Sequence, residues 1–147
     1  MQILIEKEKR RLTLRDAAGK ILFSADIALG SHPQGPKRRA GDGRTPEGAY
    51  FVCVKKMGKY GPSLGVSYPS AADARRAGAD AALIACIEER AARGERPPWG
   101  SPLGGEIYVH GGGLAGDWTA GCVALADADA ERLYALTPLG TEILILP

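Results

Sequence analysis

The two residues best equipped for chemistry in this chain are a histidine and a cysteine twelve positions apart, His110 and Cys122. They bound the run H-G-G-G-L-A-G-D-W-T-A-G-C. An imidazole beside a thiol is equipment for nucleophilic catalysis. A free thiol ionises near pH ~8.5, so at neutrality it needs a neighbouring base or a positive field to become a nucleophile. Gly111, Gly112, Gly113, Gly116 and Gly121 crowd the run. They permit backbone angles that a Cβ forbids. The chain can therefore fold the ring back towards the sulfur and turn N–H groups towards a developing oxyanion. A second reading stays open: a lone cysteine packs as a small hydrophobe, and a histidine at a strand end serves as a hydrogen-bonded structural group. Spacing along the chain does not decide between them.

Both residues need strands to hold them. Glu106–His110 reads as a strand that delivers His110 to a sheet edge, and Val123-Ala124-Leu125 is the apolar run that follows Cys122. Upstream, Gln2–Glu6 and Arg11–Arg15 read as short strands, the second with Leu12 and Leu14 alternating against polar neighbours. Lys20–Leu29 reads as a third strand, reached through a turn at Asp16–Gly19. Gly30–Gly48 breaks the pattern as a long polar loop, made basic by Lys37, Arg38, Arg39 and Arg44. It is either a solvated surface or the border of a cleft that meets an anionic group. Asp42 has the character of a turn residue that accepts from nearby N–H groups.

Ala49–Met57 and Ser63–Tyr68 read as further strands. Cys53 in the first of them is expected in the core. Ser70 and Asp73 have capping-box spacing, Gly78 interrupts the helix they start, and a second helix runs from Asp80 with Leu83, Cys86 and Ile87 on one stripe. Gly94–Gly105 is a Pro/Gly-rich loop. Asp127 is a plausible N-cap for a last helix, and Thr141–Leu146 reads as a buried closing strand.

Length and composition bound the function. At 147 residues the chain is expected to form one domain over 1–147 with a single core. Twenty glycines and ten prolines point to many turns and a mainly β fold. A net charge of +2 gives no argument for nucleic acid or an anionic membrane. No apolar run is long enough to span a bilayer. Met1–Ile5 is followed at once by Glu6-Lys7-Glu8-Lys9, which is not the form of a secretory signal, so a cytoplasmic location stays open. None of the three cysteines forms a C-x-x-C pair, so neither a disulfide scaffold nor a metal site is expected, and no cofactor is implied.

The residues His110-Gly111 and Thr119-Ala120-Gly121-Cys122, followed by V-A-L, a helix with Leu133-Tyr134 and G-T-E-I-L-I, resemble the L,D-transpeptidase catalytic domain (YkuD; ErfK/YbiS/YcfS/YnhG). Gly41–Gly48 and Ser63–Pro69 are similar to other segments of that family, so the likeness covers about Ile21 to Ile145. The resemblance implies a β-sandwich with one or two short helices. It implies a cysteine acyl-transferase acting on peptidoglycan stem peptides, open to carbapenem-type inhibitors, and facing the periplasm or cell wall. By that likeness Cys122 is the nucleophile and His110 the base. A backbone carbonyl at Gly111 or Gly112 would orient the ring, and the N–H groups of Gly121 and Cys122 would form the oxyanion hole. Thr119, Trp118, Tyr68 and Arg44 are the implied substrate-side residues. The chain departs from the commonest pattern at Ala120, where many members carry histidine, and at Ala124, where many carry arginine. Its His–Cys spacing is also short. Resolution of the acyl-enzyme by water would make the same site an L,D-carboxypeptidase or amide hydrolase. An inert Cys122 would leave a non-catalytic β-rich binding domain.

Overall fold

The computed structural model describes residues Met1–Pro147. Alternating apolar residues build eight strands: β1 (Gln2–Glu6), β2 (Arg11–Arg15), β3 (Ile21–Asp26), β4 (Gly48–Gly58), β5 (Gly61–Val66), β6 (Tyr108–His110), β7 (Val123–Ala124) and β8 (Glu142–Leu146). Three helices accompany them: α1 (Ala71–Arg76), α2 (Ala81–Ala92) and α3 (Asp127–Leu136). The strands form one sheet in the order β3-β2-β1-β8-β4-β5-β6-β7. The β1–β8 and β6–β7 pairs are parallel and the others antiparallel.

The sheet curls until its two edges meet. Regular pairing of β3 stops at Asp26, short of the expected Leu29, because the chain crosses there to the far edge. Ala28 and Ala124 exchange two backbone hydrogen bonds of 2.9 Å, and Gly30 bridges Thr119. Closure satisfies backbone groups that an open edge would leave unpaired. Inside the curl, one face of each strand supplies the core. Ile3, Ile5, Leu12, Leu14, Val52 and Leu64 pack there with Val109, Val123, Ile143 and Ile145, and α3 adds Ala130 and Leu133. Removing this apolar surface from water is the main force holding the curl.

The capping box at α1 forms as its spacing predicts, with Ser70 and Asp73 each accepting the other's backbone N–H. Asp80 caps α2 by accepting from Leu83 N–H at 2.8 Å. At α3 the N-cap is Ala126, without a side-chain bond, and Asp127 is the first helical residue. Its carboxylate turns away to another task, described below. Cys53 lies half-buried on the face of β4 opposite the core, where burial pushes its thiol up to about 11. The long loop 30–47 is pinned from outside by Lys7. Its buried ammonium donates to Gly35 C=O (3.0 Å), Thr45 C=O (2.8 Å) and Glu47 (2.9 Å).

Candidate active site

The short parallel pair β6–β7 places both candidate residues: His110 ends β6, and Cys122 immediately precedes β7. Val109 lies level with Val123 and His110 level with Ala124. Side chains alternate along strands, so the two valines enter the core while His110 and Cys122 share the opposite face. Cys122 stands level with Tyr108, two residues from His110, or about 7 Å along the strand. No hydrogen bond joins the two at rest. The Cys122 thiol instead accepts from Tyr108 N–H (3.4 Å) and donates to Glu106 C=O (3.6 Å).

The imidazole is locked. His110 is buried, and its Nδ1–H donates to the neighbouring Gly111 carbonyl. A ring nitrogen that faces a carbonyl carries the proton, which leaves the Nε2 lone pair for chemistry. The ring of Tyr60, at the tip of the β4–β5 hairpin, stacks on it with centroids 4.7 Å apart and planes at 15°. Trp118 meets both rings edge-on, at 5.9 Å from His110 and 5.1 Å from Tyr60. Its indole N–H donates to Gly113 C=O at 3.0 Å. Burial lowers the His110 pKa below its usual 6.5, and the bond to Gly111 only partly offsets this.

Asp127 reaches the same corner. Its carboxylate accepts from Gly112 N–H at 2.9 Å. That N–H and the carbonyl holding His110 belong to one peptide unit, so Asp127 fixes the plane that orients the ring. Glycine is required here: Gly112 has φ +108°, and a Cβ would fall 2.8 Å from the Trp118 ring.

The thiol has different surroundings. Cys122 lines a hollow of about 150 Å³ with Lys37, Ala40, Gly104, Glu106 and Ala120. Burial raises the thiol pKa above its ordinary value, and the Glu106 charge adds to this. The Tyr108 N–H and the Lys37 charge pull the other way. The turn leading into Cys122 is closed by Thr119, whose hydroxyl donates to Cys122 C=O (2.7 Å) and accepts from Gly121 N–H (3.1 Å). Gly121 has φ +138°, and a Cβ there would meet the Arg44 carbonyl at 2.7 Å. The loop 30–48 therefore packs directly behind the cysteine.

With this geometry in view, the family model for the L,D-transpeptidase catalytic domain, YkuD, matches residues 1–145. The chain belongs to the YkuD family. Compared by sequence with curated proteins, it finds no significant match. Among solved structures it is similar to the helical cell shape determining protein Pgp2 of Campylobacter jejuni, with TM-score 0.68 and 22% identity over 98% of this chain and 46% of that one. It is also similar to an L,D-transpeptidase from Mycobacterium smegmatis, with TM-score 0.58 and 14% identity over 99% and 58%. A third is LdtMt1 in complex with imipenem, with TM-score 0.57 and 13% identity over 99% and 58%. The chain thus spans about half the length of these neighbours. The likeness carries the YkuD fold, a mainly β architecture with three helices.

Within this YkuD domain the expected substrate-side residues separate. Trp118 does stand beside His110. Tyr68 does not line a cleft: it is fully buried in the core and its hydroxyl donates to Leu103 C=O at 2.7 Å. The Thr119 hydroxyl is used up inside the turn, so it positions Cys122 and does not reach outward. The Arg44 side chain lines a separate hollow with His32, Arg38 and Arg39, and only its carbonyl approaches Gly121. The basic side chain beside the thiol is Lys37, which the sequence marked only as part of a basic run. Gly121 N–H is already paired, which corrects its expected place in an oxyanion hole. Sequence spacing does not point to Tyr60 or Asp127, because stacking on His110 and bracing its loop are contacts across the fold. No three His, Cys, Asp or Glu side chains converge to hold a metal ion.

Proposed function

We propose that this YkuD domain is a cysteine acyl-transferase whose donor is a peptidoglycan stem peptide. The observation that supports it is the pairing of a hollow-lining thiol, Cys122, with a neutral imidazole of fixed tautomer on the adjacent strand. Between the lowered His110 pKa and the raised Cys122 pKa, both groups rest uncharged at neutral pH.

Attack follows from that state. Cys122 Sγ forms a bond to the donor carbonyl carbon as its proton passes to His110 Nε2. The carbonyl becomes an oxyanion, for which the Cys122 N–H is the donor left once Gly121 is paired to Thr119. Collapse breaks the C–N bond, and the imidazolium returns its proton to the departing amine. A second stem amine then attacks the thioester carbonyl and loses its proton to Nε2; the C–S bond breaks, the Cys122 thiolate takes that proton back, and the crosslinked product leaves. Water in that role gives a shortened stem. The substrate places the protein at the cell wall, as is general for the family. No helix is long and apolar enough to cross a membrane. A carbapenem, with its strained amide, would trap Cys122 as a stable acyl adduct.

Intact mass after incubation with a tetrapeptide-stem disaccharide, and separately with a carbapenem, tests this. The expected result is an adduct mapped to Cys122, with loss of the terminal residue from the stem. Dimeric muropeptide marks transfer to an amine, and free tripeptide marks hydrolysis. A folded protein that yields neither adduct nor product would overturn the proposal.

A further inference from the structure

We infer that Lys37 is the cation that sets the ionisation of Cys122, and that Asp42 holds Lys37 in place while offsetting its field. The inference builds on Cys122 as nucleophile, but its test reads the thiol itself.

Lysine is seldom buried unless paired, because removing an ammonium from water is costly. Here the Lys37 side chain is 3% exposed, and it lines the same small hollow as Cys122. Its ammonium donates to Asp42 Oδ1 at 2.8 Å. Asp42 is itself tightly held. One oxygen accepts from Arg38 N–H (2.8 Å) and Arg39 N–H (3.1 Å), and the other also accepts from Arg44 N–H (3.1 Å). Burial opposes its ionisation, but Lys37 and these three N–H groups hold it at about 2. Asp42 therefore stays ionised through the whole working range.

Position decides what the pair does. Of the two residues, Lys37 is the one that lines the thiol's hollow and whose charge acts on the thiol, while Asp42 lies among the backbone N–H groups of its own loop. A charge on a side chain as buried as Lys37 acts far more strongly than at an open surface. The other charged or titratable groups around the thiol do not duplicate it. Glu106 carries the opposite sign, His110 on β6 is neutral, and Arg44 turns only its backbone towards Gly121. Cys122 thus senses Lys37 minus the share that Asp42 cancels.

That difference gives the two partners opposite effects on one observable. Lys37→Met removes the cation, so the Cys122 pKa rises. Asp42→Asn removes the offset, so it falls. A purely structural ion pair predicts something else. Losing either partner would loosen the loop, admit water and lower the pKa in both variants, because burial is the largest force raising it.

The experiment is the pH dependence of iodoacetamide alkylation on the whole chain, read at the Cys122 peptide by mass spectrometry so that Cys53 and Cys86 do not contribute. Lys37→Met should slow alkylation at pH 7.5 by about tenfold and move the limb to higher pH, the lower end of the effect of one close charge. Asp42→Asn should accelerate it and move the limb down. Lys37→Arg, which keeps the charge, should stay close to the parent. Shifts of the same sign in Lys37→Met and Asp42→Asn, or no shift in either, would overturn the inference. Because no wall substrate is involved, failure here leaves the proposed acyl transfer standing, and failure there leaves this result interpretable.

Discussion

The imidazole of His110 lies among rings, whereas the thiol of Cys122 lies among charges. Tyr60 and Trp118 enclose the imidazole, and the bond that orients it is to a neutral carbonyl. Lys37 and Glu106, of opposite sign, line the hollow of the thiol. The two surroundings suit two jobs. A base must be neutral and aimed when the substrate arrives, and an apolar box disfavours its charged form. A nucleophile must carry negative charge during attack, and a nearby cation favours that state. Each half lacks what the other half has.

The comparison breaks first at its centre. Cys122→Ala should abolish acyl-enzyme formation and leave the fold intact, checked by intact mass and circular dichroism. Turnover in that variant would remove the thiol from the mechanism. His110→Ala should lower kcat/KM by ~10²-fold or more, the usual scale for a positioned proton-transfer group. In the parent protein, kcat/KM should fall with acid along a limb centred below pH 6.5, since burial lowers the His110 pKa and the neutral ring is the active form. The sign for stability follows. As pH falls below 6.5 the unfolded chain takes up the proton before the native one, so this histidine's contribution to stability is present above 6.5 and lost on descending through the native pKa. A limb above 6.5 would mean that a negative charge, and not burial, dominates the imidazole.

Thr119 tests the nucleophile's half from beneath. Thr119→Val keeps the shape but leaves Cys122 C=O and Gly121 N–H without their partner. Each unsatisfied group costs about 1–3 kcal/mol. Melting should therefore come several degrees earlier, and acylation should slow by roughly tenfold as the turn relaxes. Unchanged acylation would mean that the sheet pairing of Val123 alone places the thiol.

How much of this was legible beforehand depended on the range of each interaction. Local signals survived: the alternation in β2, the Ser70–Asp73 cap, and the turn chemistry of Asp42. Gly112 and Gly121, both in the segment marked by glycine crowding, take positive φ where a Cβ would collide. Signals carried by closure of the sheet were not legible. Nothing in Ile27–Gly30 reveals that it leaves β2 to pair with Ala124 and Thr119. That crossing is what brings the basic loop behind Cys122, so the choice between Lys37 and Arg44 could not be made from spacing. Tyr68 misled because an aromatic near a strand end suits a cleft wall and a core equally. Tyr60 was silent because a hairpin tip gives no hint of the ring it will cover.

Tyr60 is the next way to sharpen the contrast. Tyr60→Leu removes the stacked face and admits water to the imidazole. The acid limb of kcat/KM should move up towards 6.5, and the rate on the plateau should fall by a few-fold to about tenfold as orientation loosens. A change in KM alone, with the limb unmoved, would make Tyr60 a substrate contact and not part of the box.

Asp127 should give the smallest effect, and it asks whether the ring's corner is as free of charge influence as its geometry suggests. Its carboxylate holds Gly112 N–H, at the other end of the peptide whose carbonyl orients His110. Two contributions are possible: holding that peptide plane, and polarising it. Asp127→Asn keeps an acceptor at the same place but removes the charge, while Asp127→Ala removes both. Asp127 is exposed, so water screens its charge, and the plane should matter more than the polarisation. The expectation is a loss of about two- to fivefold in Asp127→Ala and near-parent activity in Asp127→Asn. The His110 titration, followed by NMR against His32 as the second ring in the chain, should barely move in Asp127→Asn. A clear downward shift there would show that the carboxylate acts on the imidazole through the peptide group. The base, like the nucleophile, would then be tuned by a charge after all.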